Sequence, residues 1–89
     1  MSDERVKRDG RLPWQEIEGR AVVVVPARRE LHEMDETATF LWGALAKPRS
    51  EAELVEALCG EYEVDAETAV RDVRGFLAAL REKGLLATA

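Results

Sequence analysis

Ala21-Val22-Val23-Val24-Val25-Pro26-Ala27-Arg28-Arg29-Glu30-Leu31-His32-Glu33-Met34-Asp35 is the stretch on which the fold turns. Its four consecutive valines are stiff at χ1 and suit a pleated surface, so residues 21–25 read as a strand. Pro26 has no N–H to give a ladder and ends it. Ala27-Arg28 makes a turn into a further strand, about residues 29–34. There alternation sends Leu31, Glu33 and Asp35 to one face and His32 and Met34 to the other. Upstream, Trp14-Gln15-Glu16-Ile17 is a shorter strand candidate, joined to the valines by the turn Glu18-Gly19-Arg20. The expectation is a three-stranded antiparallel meander whose third strand, residues 29–34, lies at an edge.

Beyond Asp35 the apolar spacing changes to that of helices. Asp35 is a good N-cap, and Ala38, Leu41, Trp42 and Leu45 share one face of a first helix reaching about Ala46. Lys47-Pro48-Arg49 breaks it. Ser50-Glu51-Ala52-Glu53 is a capping box, in which hydroxyl and carboxylate satisfy each other's backbone donors. It opens a second helix with Leu54, Val55, Leu58 and Tyr62 on one side. Asp65 caps a third, with Val70, Val73, Leu77 and Leu80 as its stripe and Phe76 beside it. Gly84, followed by Leu85-Leu86, has the pattern of a C′ glycine with a hydrophobic contact back to the helix. A run of strands followed by a run of helices indicates an α+β domain. The tight turn between the last two helices makes it a winged helix-turn-helix.

The chain has 89 residues, which is one domain. Residues 1–11 carry four positive and three negative charges without periodicity and read as a flexible tail, leaving 12–89 as the domain. The longest apolar run is far short of a membrane span, and the charged N-terminus offers no export signal. With a single cysteine, Cys59, no internal disulfide can form, and the chain reads as cytoplasmic. Cys59 itself reads as a small buried hydrophobe. Net charge is −5, and residues 12–89 hold nine positive and fifteen negative side chains. That acidic body counts against nucleic acid as a partner, since phosphate binding needs a basic face.

Leu31-His32-Glu33-Met34-Asp35-Glu36-Thr37-Ala38-Thr39-Phe40-Leu41-Trp42 resembles the central signature of the PqqD-like family: a leucine, an asparagine, any residue, a threonine, an alanine, then an aliphatic–tryptophan pair. The likeness continues through Arg49-Ser50-Glu51-Ala52-Glu53-Leu54-Val55 and Asp72-Val73-Arg74-Gly75-Phe76-Leu77-Ala78-Ala79-Leu80 to Lys83-Gly84-Leu85-Leu86. Here Asp35 stands for the usual asparagine and Met34 for the usual leucine. The strand region also lacks the glycine-rich turn of the cofactor-pathway members, so pyrroloquinoline quinone synthesis is not the expected setting. The resemblance implies a RiPP recognition element, a winged-helix peptide chaperone. Such a module receives the leader of a ribosomally made precursor as an added strand along the third strand and against the third helix. The enzyme is then a separate chain or a fused domain, a radical SAM maturase or a leader peptidase among others.

The residues carry a site reading of their own. An edge strand offers unpaired N–H and C=O groups that a partner strand can satisfy, with side-chain pockets supplying specificity. The expected contacts on the strand are Arg29, Glu30, Leu31, His32, Glu33 and Met34. On the third helix, Arg71, Arg74, Ala78 and Arg81 fall within about 80° of one another at 100° per residue, beside Val70 and Leu77. Gly75 and Ala78 leave low relief between the arginines. Charge-assisted hydrogen bonds from Arg71, Arg74 and Arg81 to acidic leader residues are the expectation, against a solvated face paired locally with Asp72 and Glu67.

Catalysis has little to build on: there is no Ser/His/Asp or Cys/His set, no phosphate-cradling loop, and one histidine with no second ligand near it. No cofactor or metal is expected, and the chain does not read as an enzyme. The competing reading is a winged-helix DNA-binding regulator with its third helix in the major groove. Residues 50–64 oppose it with five acidic side chains and no basic one. A monomer or a weak dimer is expected.

Overall fold

The computed structural model describes residues 4–87. Its elements are strands β1 (Arg5–Val6), β2 (Trp14–Ile17), β3 (Arg20–Val25), β4 (Glu30–Glu33) and β5 (Arg49–Ser50), with helices α1 (Glu36–Ala44), α2 (Glu51–Glu61) and α3 (Ala66–Lys83). The fold is α+β. β2, β3 and β4 form an antiparallel meander in that spatial order, leaving β4 at an edge. Glu18 and Gly19 close the first hairpin at φ of 53° and 80°, the doubly left-handed turn that matches strand twist. A 3-10 turn at Pro26–Arg28 closes the second, with Arg29 left-handed at φ 54°.

Local chemistry sets the helix ends. Asp35 accepts from the Ala38 N–H and Asp65 from the Thr68 N–H. Both halves of the Ser50–Glu53 capping box are formed. Gly84 is left-handed at φ 72°, and the Leu85 N–H returns to the Leu80 carbonyl, which seats Leu85 in the core. That core joins Ala21, Val23 and Val25 of β3 to Leu41 and Trp42 of α1, Leu54 and Leu58 of α2, and Ala69, Val73, Leu77 and Leu80 of α3. The Ala21 N–H donates to Thr39 Oγ1 at 2.9 Å, and this bond ties the sheet to α1.

Two expectations are corrected. The stretch 4–11 is built into the fold, while 1–3 lie outside the described residues. β1 pairs with β5, Arg8 bridges Leu86, and the Arg8 and Asp9 N–H groups donate to the Leu45 and Leu85 carbonyls. The Arg8 guanidinium lies 4.9 Å from the Trp14 ring centroid and 5.5 Å from that of Trp42, and it donates to the Trp42 carbonyl. A cation held by two indoles and a helix carbonyl is not a tail charge; such stacking contributes about 0.5–2 kcal/mol. Cys59 is exposed, because it sits about 100° round the helix from buried Leu58 and outside the core stripe.

Candidate functional site

The direction of each backbone group on β4 follows from one hydrogen bond. The Met34 N–H donates to the Ala21 carbonyl at 2.8 Å, so Met34 and Ala21 are a hydrogen-bonded pair. Antiparallel ladders alternate such pairs with unbonded ones. His32 and Glu30 therefore turn their backbone groups toward Val23 and Val25, whereas Leu31 and Glu33 turn theirs toward the open edge. The other hairpin agrees: the Val24 N–H donates to the Pro13 carbonyl, away from β4.

Beside this edge runs a groove of about 480 Å³. One wall is His32, Met34 and the start of α1, with Thr37, Ala38 and Leu41. The other is the flank of α3 carrying Arg71, Asp72, Gly75, Phe76, Ala79, Leu80 and Lys83. Gly75 and Ala79 keep that wall low. A Cβ on Gly75 would meet no atom within 4 Å. Arg71, Asp72 and Lys83 have no ion-pair partner among the described residues, so charge stands ready on both sides of an apolar middle. His32 meets the Glu30 carboxylate at 3.2 Å, while Glu33 turns away to pair with Arg20 at 2.9 Å. Met34 is buried beneath the strand, and Leu31 is 64% exposed on its far face.

The third-helix residues expected at the site divide. Arg71 lines the strand-side groove. Val70, Arg74, Leu77 and Arg81 line a second groove of about 680 Å³ against α2 and β1. There Arg74 pairs with Glu51 at 3.0 Å and Arg81 with Glu4 at 3.3 Å, not with Asp72 or Glu67. Ala78 is exposed and lines neither groove. Asp72, Gly75, Phe76, Ala79 and Lys83 take the places by the strand. Their spacing of three and four was visible, but nothing local said which flank of the core stripe faces β4. Among the described residues, no cluster of three or more His, Cys, Asp or Glu could hold a metal ion. No helix among them is long and apolar enough to cross a membrane.

This arrangement is shared with known proteins. Superposition on "TbiB1 in Complex with the TbiA(beta) Leader Peptide" gives a TM-score of 0.83 at 30% identity, covering 93% of this chain and 96% of that one. "Lasso peptide synthetase B1 complexed with the leader peptide" gives 0.80 at 22% identity, covering 93% and 98%, a likeness of fold. No curated protein sequence matches. The family model described as Coenzyme PQQ synthesis protein D matches residues 20–86, three quarters of the chain. Sequence signature, edge strand and flanking helix thus converge, and the chain belongs to the PqqD family.

Proposed function

We propose that this chain binds the leader segment of a ribosomally synthesised precursor peptide and presents it to a separate modifying enzyme, a radical SAM maturase or a leader peptidase, without catalysing a step itself. The observation that carries this reading is the open edge of β4 standing over an apolar groove walled by α3. An extended peptide laid there pairs with the N–H and C=O groups of Leu31 and Glu33. Its alternate side chains drop between His32 and Met34 on one side and Gly75, Phe76 and Ala79 on the other. Backbone pairing supplies affinity without regard to sequence, and the pockets supply choice. Both similar structures are complexes with leader peptides, which supports the same role here. Entry of α3 into a DNA groove finds no support: Arg74 and Arg81 are paired with carboxylates, and α2 beside them is acidic.

Titration calorimetry with synthetic leaders from short reading frames encoded beside this one tests the proposal. The expected result is binding in the submicromolar to low-micromolar range, abolished by N-methylation at alternate leader positions. If none of those leaders binds, the proposal is wrong.

A further inference from the structure

We infer that the groove between α2, α3 and β1 is the interface of a weak, two-fold symmetric dimer of this chain, formed on the flank of α3 that faces away from β4. Its floor is apolar: Val6 of β1, Ala52 and Val55 of α2, and Val70 and Leu77 of α3. Only Leu77 of these is buried, so the others leave apolar surface open to water. The walls carry opposite charge. Glu51 and Glu56 stand on the α2 side with Glu4 just ahead of β1, while Arg74 and Arg81 stand on α3. Within the chain Arg74 meets Glu51 at 3.0 Å and Arg81 meets Glu4 at 3.3 Å, all four side chains being well exposed. Arg74 uses its Nε for this and Arg81 one Nη. A guanidinium has five donors in a planar fork, so each has room for a second carboxylate.

The charge pattern selects the occupant. A ligand of one sign is repelled along one wall. What fits is an apolar stripe between an acidic row and a basic row at the same spacing, and this face is itself such a surface. Two copies meeting face to face share a dyad that lies in the plane of contact. A dyad across the groove sets acidic wall on acidic wall. A dyad along the groove sets the acidic wall of each copy on the basic wall of the other, and at the same level. Glu51 of one copy then reaches Arg74 of the other, and Glu4 reaches Arg81, so each guanidinium lies between two carboxylates. The apolar floors close on each other, with α2 of one copy over α3 of the other in a four-helix layer. About 16 Å of α3 from Val70 to Arg81, spanned by two helices each about 10 Å across, gives roughly 300 Å² per copy. A standard complex takes about 800 Å² per partner, so the dimer is weak and forms only at high concentration. Both strand-side grooves stay open in it.

Sedimentation equilibrium of the full chain between about 10 μM and about 1 mM reads the association. A monomer at the low end and a reversible dimer at the high end are expected. Three variants locate the interface: Arg74→Glu with Arg81→Glu, Glu51→Arg with Glu56→Arg, and Ala52→Lys, which puts a charge on the floor at an exposed position. Circular dichroism and thermal unfolding establish that each is folded. Self-association should weaken about tenfold or more in each one alone. Mixing the first two should restore a heterodimer at least as tight as the wild type, weakened again by about 1 M salt. A wild-type chain that stays monomeric at about 1 mM overturns the inference. So does a dimer that all three folded variants form as the wild type does. A dimer lost in Leu31→Pro but kept in these variants would be joined through the edge of β4, which overturns it as well.

Discussion

Arg28 donates from Nη1 to the carbonyl oxygen of Glu82 at 2.9 Å, tying the turn before β4 to the last turn of α3. The bond satisfies one of the carbonyls a helix C-terminus leaves unpaired, and it fixes the helix against the strand edge. Gly84 makes room for this: a Cβ there would lie 3.1 Å from Arg28 Nη2. Arg28→Ala is expected to lower stability by about 0.5–1.5 kcal/mol and to weaken leader binding severalfold as the groove loses its clamp. Gly84→Ala costs about 1–2 kcal/mol through the left-handed backbone alone and displaces Arg28 besides. Denaturant unfolding and calorimetry on the two variants check both.

Gly75 separates helix propensity from groove shape. It lies inside α3 with open space where a Cβ would stand. Gly75→Ala should stabilise the fold by about 0.5–1 kcal/mol and leave leader affinity within about twofold. Gly75→Phe places a ring in the groove; leader affinity should then fall more than about tenfold in a chain that still unfolds cooperatively.

Features decided within a few residues were legible before any coordinates. The caps at Asp35 and Asp65, the Ser50–Glu53 box, the stop at Gly84 and the edge position of β4 all depend on local residue chemistry. The arginine stripe was not legible in the same way. Periodicity places Arg71, Arg74 and Arg81 near one another, but tertiary packing decides that Arg74 faces Glu51 of α2 and Arg81 faces Glu4, just ahead of β1. The N-terminal segment failed for the same reason. Arg5 and Val6 find their partners at Ser50 and Arg49, and Arg8 finds its own at Trp14 and Trp42. Of these contacts, only that with Trp14 is close in sequence.

Acid should weaken the chain through its capping carboxylates. The Thr68 backbone N–H, at 2.7 Å, holds the Asp65 carboxyl below its ordinary value of 3.8. A lowered folded-state pKa means that the unfolded chain binds the proton more readily. The cap's contribution is therefore complete above about 3.8 and is lost as pH falls through the lower folded value. Glu53 behaves alike, held down chiefly by the Ser50 N–H. Asp65→Asn caps about as well without titrating. It should flatten the stability profile in acid, below the ordinary carboxylate value of 3.8, and leave neutral stability nearly unchanged, as followed by urea unfolding from neutral pH downward.

Charge reversal distinguishes the two flanks of α3. Arg71 lies in the strand-side groove without an ion-pair partner among the described residues, so Arg71→Glu should change leader affinity severalfold, most for leaders with acidic residues. Arg74 pairs with Glu51 on the other flank, both side chains being well exposed. Arg74→Glu should leave leader affinity within about twofold and cost about 0.2–1 kcal/mol of stability. Equal loss of leader affinity in both variants would mean that the leader crosses α3 to the second groove.

Proline substitution addresses the two sides of β4 one residue apart. Leu31→Pro removes an N–H that points to the open edge and leaves the ladder to β3 intact, a position at which edge strands tolerate proline. Stability should change by no more than about 1 kcal/mol, while leader affinity falls about tenfold with the lost bond and the ring in the path of the added strand. His32→Pro instead removes the N–H that faces Val23, and it should destabilise the fold by about 3 kcal/mol or more. Chemical denaturation reads the first quantity and calorimetry the second. If Leu31→Pro binds leader as the wild type does, the peptide is not paired to this edge. Glu33→Pro, at the other outward position, repeats the test independently.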